Sequence, residues 1–147
     1  MKKKLLAILA IASVVPVASA ITPLWLRDVQ ISPDGSTIAF TYKGDIYTVP
    51  SGGGSATRLT SMPSYESNPV WSPDGKSIAF ASDRNGNFDI YAVDIVGGQA
   101  RRLTSNSASE IPEAFSPDGK YVLFSASIQD PVESALFPSS RMTELYK

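Results

Sequence analysis

The run Ile78-Ala79-Phe80-Ala81 alternates large and small side chains while staying apolar throughout. Period-two alternation sends successive side chains to opposite faces of a strand, so one face here is large and the other small. A strand that is apolar on both faces is buried on both. Ile38-Ala39-Phe40-Thr41 repeats the device, and Val122-Leu123-Phe124-Ser125 relaxes it. Around the middle run, the pattern predicts four strands over residues 69–72, 77–82, 88–95 and 99–104, separated by turn residues. These are ordinary strand lengths.

The turns have a chemistry of their own. Ser-Pro-Asp-Gly occurs at 32–35, 72–75 and 116–119. It places a side-chain acceptor, a proline with preset φ, an aspartate and a glycine in the order that a type I turn prefers. Asn85-Gly86 is the strongest short hairpin signal and Lys43-Gly44 its weaker counterpart, while Gly97-Gly98 and Gly52-Gly53-Gly54 turn the third strand into the fourth. Asp-Ile-Tyr at 45–47 and 89–91, and Arg-Leu-Thr at 58–60 and 102–104, complete two units; a third contains Glu-Leu-Tyr at 144–146. Periods of 40 and 44 residues fall where four-stranded propeller blades fall.

The expected fold class is therefore all-β: propeller blades of four antiparallel strands, with large residues of one blade filling space left by small residues of the next. Three blades are expected at about 27–60, 67–104 and 111–147, the last incomplete. A propeller needs several blades to close its ring, so the natural protein is expected to be longer.

Composition narrows the chemistry. The 147 residues are 43% hydrophobic and contain no cysteine and no histidine. Disulfides, thiolate metal sites, a Ser-His-Asp triad and a histidine-ligated zinc site are thereby excluded from these residues. Met1 to Ala20 combines Lys2-Lys3-Lys4, an apolar run from Leu5 to Val15 and the small ending Ala18-Ser19-Ala20. This is the form of a secretory signal peptide cleaved after Ala20, and the apolar run is too short for a comfortable membrane span. Export to a bacterial periplasm or beyond, with no stable membrane span after cleavage, is the expectation. Without those three lysines, 10 basic residues face 14 acidic ones, a net −4. No basic run then exceeds Arg101-Arg102, which argues against a nucleic-acid partner.

Asp34, Asp74 and Asp118 read as turn residues, because a calcium loop needs several more oxygen ligands than their proline, glycine and apolar neighbours supply. No catalytic, cofactor-binding or metal-ligating residue is assigned. Arg58 and Arg102 are expected to pair with Asp45 and Asp89 of the same blade. Trp71 reads as a core filler, and Trp25 as packing the lead-in against the ring. The segment from Ser127 to Thr143 lengthens the joint between second and third strands, and long insertions in repeat proteins often fall on a functional face. The candidate peptide-facing residues are Arg84, Asn85 and Asn87 at one polar loop tip, and Phe137 and Arg141 in that insertion.

The phrase WSPDGKSIAFASDRNGNFDIYAVDIVGGQARRLT resembles the WD-like repeat of TolB-like and tricorn-like β-propellers. TPLWLRDVQISPDGSTIAFTYKGDIYTVPSGGGSATRLT is similar to the first blade of tricorn-type serine peptidases, in which a lead-in carrying an arginine and an aspartate, here Arg27 and Asp28, runs into the propeller. Phe137 to Arg141 ahead of Glu144-Leu145-Tyr146 resembles the extended blade of that group. The resemblance implies a propeller that steers peptides or unfolded proteins toward a PDZ-like and peptidase region absent from this chain, in a full-length protein open to homo-oligomer formation. Two rivals use similar blades. One is a non-enzymatic TolB-like propeller that binds envelope proteins, although such proteins place an α/β domain before the blades. The other is the propeller of a prolyl-oligopeptidase-like or dipeptidyl-peptidase-like enzyme, whose Gly-x-Ser-x-Gly elbow does not occur here.

Overall fold

The computed structural model describes residues 25–127 and the backbone of 144–146. It contains three antiparallel sheets and, among the described residues, no helix. The first sheet runs β1 (Arg27–Ile31), β2 (Thr37–Tyr42), β3 (Asp45–Pro50) and β4 (Thr57–Arg58) in simple meander order. The second repeats it with β5 (Glu66–Trp71), β6 (Ser77–Ser82), β7 (Asp89–Asp94) and β8 (Arg101–Arg102). The third pairs β9 (Glu110–Phe115), β10 (Val122–Ala126) and β11 (Glu144–Tyr146). Strand β5 neighbours β1 of the first sheet and β9 of the third, so successive sheets meet through their first strands. That is the arrangement of propeller blades, as the repeat predicts.

The large and small faces interlock between sheets. Register pairs Ile78 with Val93 and Phe80 with Tyr91, which places all four on one face of the second sheet. There Phe80, Tyr91 and Val93 close over Ile46 of the first sheet. The opposite face carries Ala79 and Ile90 and receives Phe124 and Ala126 of the third sheet. Ile78 through Ala81 are completely buried, as a two-faced strand must be.

Each Ser-Pro-Asp-Gly closes the same tight joint. The amide of Gly35 donates to the carbonyl of Ser32, and Gly75 and Gly119 do the same to Ser72 and Ser116, at 2.8 to 2.9 Å. The Ser72 hydroxyl donates to Asp74 Oδ1 at 2.7 Å and accepts from the Ser77 amide at 2.9 Å. Ser32 with Asp34 and Ser116 with Asp118 repeat the pattern.

Three details depart from the sequence expectation. Strand β5 begins at Glu66 rather than Pro69, because a bulge between Ser67 and Val70 carries the pairing past the proline. Asn68 takes φ 52° there, and Asp28 takes φ 51° at the equivalent bulge of β1; Asn and Asp tolerate this left-handed region better than most residues. Strand β8 pairs only Arg101 and Arg102, since beyond them the Thr104 hydroxyl accepts the Ile90 amide at 2.9 Å in place of a backbone carbonyl. Finally, Lys43-Gly44 makes the two-residue hairpin, with Tyr42 paired to Asp45. Asn85-Gly86 instead lies in a longer loop whose turn runs from the Asp83 carbonyl to the Gly86 amide. Asp83 sets that loop by also accepting the Tyr65 amide at 2.7 Å.

Candidate functional site

The polar chemistry of the described residues gathers along the seams between sheets. At the start of β3, Asp45 Oδ1 accepts from Arg58 Nη2 at 2.7 Å, and at the start of β7 Asp89 Oδ2 accepts from Arg102 Nη2 at 2.6 Å. Both pairings follow the sequence expectation. Arg58 also donates through Nε to the Thr60 carbonyl at 2.8 Å, while the Thr60 hydroxyl accepts the Ile46 amide at 2.9 Å. The next blade then closes each seam. The Glu66 amide donates to the Gly44 carbonyl, and the Glu110 amide to the Phe88 carbonyl, both at 2.8 Å.

The side chains of Glu66 and Glu110 are buried beside these groups. Burial pushes both carboxyls above the ordinary carboxylate range; hydrogen bonding from Thr60 or Thr104 opposes the shift, and the charge of Asp45 or Asp89 adds to it. Sequence reasoning named Asp45, Arg58, Asp89 and Arg102 but missed Thr60, Glu66, Thr104 and Glu110. The signal was present: Asp45, Arg58, Thr60 and Glu66 each recur 44 positions later.

Arg84 faces inward from its loop. Its Nη2 pairs with Glu66 Oε1, its Nε donates to the Ser82 hydroxyl at 2.9 Å, and its guanidinium lies 4.1 Å from the centre of the Tyr91 ring. Asn85 donates to the Tyr91 hydroxyl at 2.6 Å. Asn87 donates to the carbonyls of Asn106 and Ala108 at 2.8 and 2.9 Å, tying the loop to the chain entering β9. Phe137 and Arg141 lie outside the described residues, as does most of the Ser127 to Thr143 insertion.

The tryptophans differ from expectation. Trp71 is half-buried, and its indole N–H donates to the Gln30 carbonyl at 3.3 Å, bridging the first strands of two sheets rather than filling a core. Trp25 is 70% exposed, with the Arg27 guanidinium 5.2 Å from its ring centre. Its backbone, at φ 72°, turns it off the sheet. Arg27 and Asp28 fall inside β1, where Asp28 accepts from the Thr41 hydroxyl and from the Asn68 amide of the second sheet.

A cavity of about 620 Å³ opens between the second and third sheets, lined by Asp74, Asp94, Arg101, Phe115 and Asp118 among others. The turn aspartates on its rim have pKa values below the usual carboxylate range, held there by the serine hydroxyl two residues earlier and the amide two residues later. One oxygen of each, Oδ1, is thus already engaged. Among the described residues no three acidic, histidine or cysteine side chains gather to hold a metal ion, and no helix is long and apolar enough to cross a membrane.

Repeated antiparallel meanders that meet through their first strands define β-propeller blades. The chain belongs to the family of the tricorn protease N-terminal beta propeller domain, whose pattern matches residues 23–139. The putative TolB of Agrobacterium tumefaciens is 40% identical and superposes with a TM-score of 0.61 over 68% of this chain and 38% of its own. The tricorn protease superposes with a TM-score of 0.58 at 24% identity, over 68% of this chain and 10% of its own, a likeness of fold. The uncharacterized peptidase YuxL of Bacillus subtilis is 46% identical over 56 residues, 35% of this chain and 8% of YuxL. The chain therefore spans well under two thirds of these relatives, and it is a propeller segment of the tricorn and TolB-like, peptidase-associated kind.

Proposed function

We propose that these are the opening blades of the propeller of an exported tricorn-like serine peptidase, and that the propeller steers peptide or unfolded-protein substrates toward a catalytic region elsewhere in the protein. The family match over residues 23–139 carries this reading, and the likeness to YuxL supports it. The Met1 to Ala20 segment supports export, with a mature chain starting at Ile21 and a periplasmic or extracellular location. The hydrogen-bonded Ser–Asp pairs of the described residues close the Ser-Pro-Asp-Gly turns, and the propeller's part in this reading is recognition and access.

The peptide-facing surface lies at the end of the blades where second strands turn into third strands. Insertions in repeat proteins collect on one face, and this joint is the one that lengthens along the chain. Because Arg84 and Asn85 are engaged within their own blade, the residues of the third joint, Phe137 and Arg141 among them, are the stronger candidates. The test is a peptidase assay on the full-length gene product, with its candidate nucleophilic serine changed to alanine. Activity lost on substitution supports the reading; a product with no peptidase region and no activity overturns it.

The 40% identity to a putative TolB, higher than that to the tricorn protease, favours a second reading. In it the propeller is a binding module for envelope proteins. A coding region that stops soon after a closing blade, with capture of a defined envelope partner, would select this reading over the first.

A further inference from the structure

We propose that a single proton is held between Asp89 and Glu110, making the seam between the second and third sheets a pH-operated latch that loosens as the pH rises. Asp89 is fully buried and Glu110 is 2% exposed. Asp89 Oδ1 and Glu110 Oε2 are both buried without a hydrogen-bond partner, although Asp89 Oδ2 is taken by Arg102. A buried ionised carboxylate oxygen with no donor is costly, and two such oxygens at one seam are relieved together if one carboxyl keeps its proton and donates to the other. The backbone bond from the Glu110 amide to the Phe88 carbonyl fixes Glu110 beside the residue preceding Asp89.

Charge balance points the same way. Strand β7 contributes Asp89 and β8 contributes Arg102, so among the described residues two carboxyls face one guanidinium. Strands β6 and β10 contribute no charged residue. On β7, Tyr91 packs toward the first sheet and Asp94 is exposed, while the only charged residue of β5, Glu66, is paired with Arg84 at the other seam. The exposed Arg101 of β8 lines the neighbouring cavity, and on β9 itself Glu113 accepts from Ser125. The first seam is different. There Arg84 joins Arg58, so Asp45 and Glu66 meet two guanidiniums. The position 44 residues after Arg84 is Ile128, which cannot repeat the pairing. A metal ion is a poorer occupant than a proton, because no third acidic ligand joins the pair among the described residues.

The sign follows from linkage. Burial, with the charge of Asp89, raises the Glu110 pKa above its ordinary 4.5, against hydrogen bonding from Thr104 and the charge of Arg102. The unfolded chain therefore releases this proton first. The stabilisation is complete below about 4.5 and is lost as the pH rises through the folded value.

The experiment is urea unfolding of the whole chain at half-unit steps from pH 4.5 to 8, comparing wild type with Glu110→Gln, which keeps a donor at every pH. Across the window the wild-type unfolding constant should rise by up to about tenfold per pH unit relative to the variant, the limit for one proton. Glu66→Gln, at the seam with the extra arginine, should remove less of the slope. Parallel wild-type and Glu110→Gln profiles would overturn the proposal. If Glu110→Gln does not fold, a carboxyl carbon NMR titration of the wild type decides: Glu110 must titrate above the exposed Glu113, and titration together with it sinks the idea.

Discussion

Replacing Phe80 by alanine tests the interlock between blades most directly. The ring is fully buried where the large face of the second sheet closes over Ile46 of the first. It stacks on Tyr91 at 6.1 Å between centroids, and the Arg84 guanidinium lies 5.8 Å from its centre. Phe→Ala at a fully packed position costs about 3–5 kcal/mol, from lost transfer free energy plus the cavity left by incomplete relaxation. The Arg84 contact adds roughly 0.5–1 kcal/mol. A domain of this size is stable by about 5–15 kcal/mol, so Phe80→Ala should remove roughly a quarter or more of the total. Urea unfolding should show a lower midpoint at unchanged m, because the surface exposed on unfolding is nearly the same. Val96→Ala, at a side chain 92% exposed, is the control and should stay within about 0.5 kcal/mol of wild type. A loss below about 1 kcal/mol for Phe80→Ala would refute the interlocked seam.

Three further outcomes follow from the same geometry. Gly44→Ala should destabilise by about 1–2 kcal/mol by chemical denaturation, since φ is +84° and a Cβ would meet Tyr65 Cδ2 at 3.2 Å; Gly86→Ala, also at positive φ but in open space, should cost less. Arg102→Leu leaves the fully buried Asp89 without its charge partner and should cost about 2–3 kcal/mol, the usual 3–5 reduced because the arginine is 38% exposed. Arg58→Leu, with a more exposed pair, should cost less in the same assay, and the reverse order would contradict the burial argument. Asp34, held near a pKa of about 2 by the hydroxyl of Ser32 and the amide and hydroxyl of Ser36, should contribute stability above its ordinary 3.8 that disappears as the pH falls toward 2. Asp34→Asn should flatten that acid limb, and an unchanged limb would mean the turn network does not survive in solution.

The blades were legible because their determinants are local. Ser-Pro-Asp-Gly closes one joint with its own atoms, and the alternation of residues 78–81 states which faces are covered. Strand ends were less legible where a side chain replaces a backbone partner, as Thr104 does, or where a bulge carries pairing past Pro69. The seam acids were overlooked for a related reason. Glu66 and Glu110 lie in stretches that differ from each other, Ser-Met-Pro-Ser-Tyr before one and Ser-Asn-Ser-Ala-Ser before the other. Their role arises only when two blades meet, and a reading made blade by blade does not bring them beside the Asp-Arg pair.

Unequal spacing locates where the repeat permits change. From Asp45 to Asp89, from Arg58 to Arg102 and from the second Ser-Pro-Asp-Gly to the third the offset is 44, whereas the first Ser-Pro-Asp-Gly precedes the second by 40. The whole difference lies in the joint after the second strand, which is Lys43-Gly44 in the first sheet and residues 83–88 in the second. The longer loop delivers Arg84 back to Glu66, so the added length reaches the seam on its own side of the blade. In the third sheet the same joint runs from 127 to 143. A repeat that fixes its inner turns through Ser-Asp pairs and its seams through Asp-Arg-Thr-Glu sets leaves this one joint free to vary in length without disturbing either. Variation confined to one end of every blade is what a propeller requires if a single face is to acquire specificity while the ring beneath it keeps its packing.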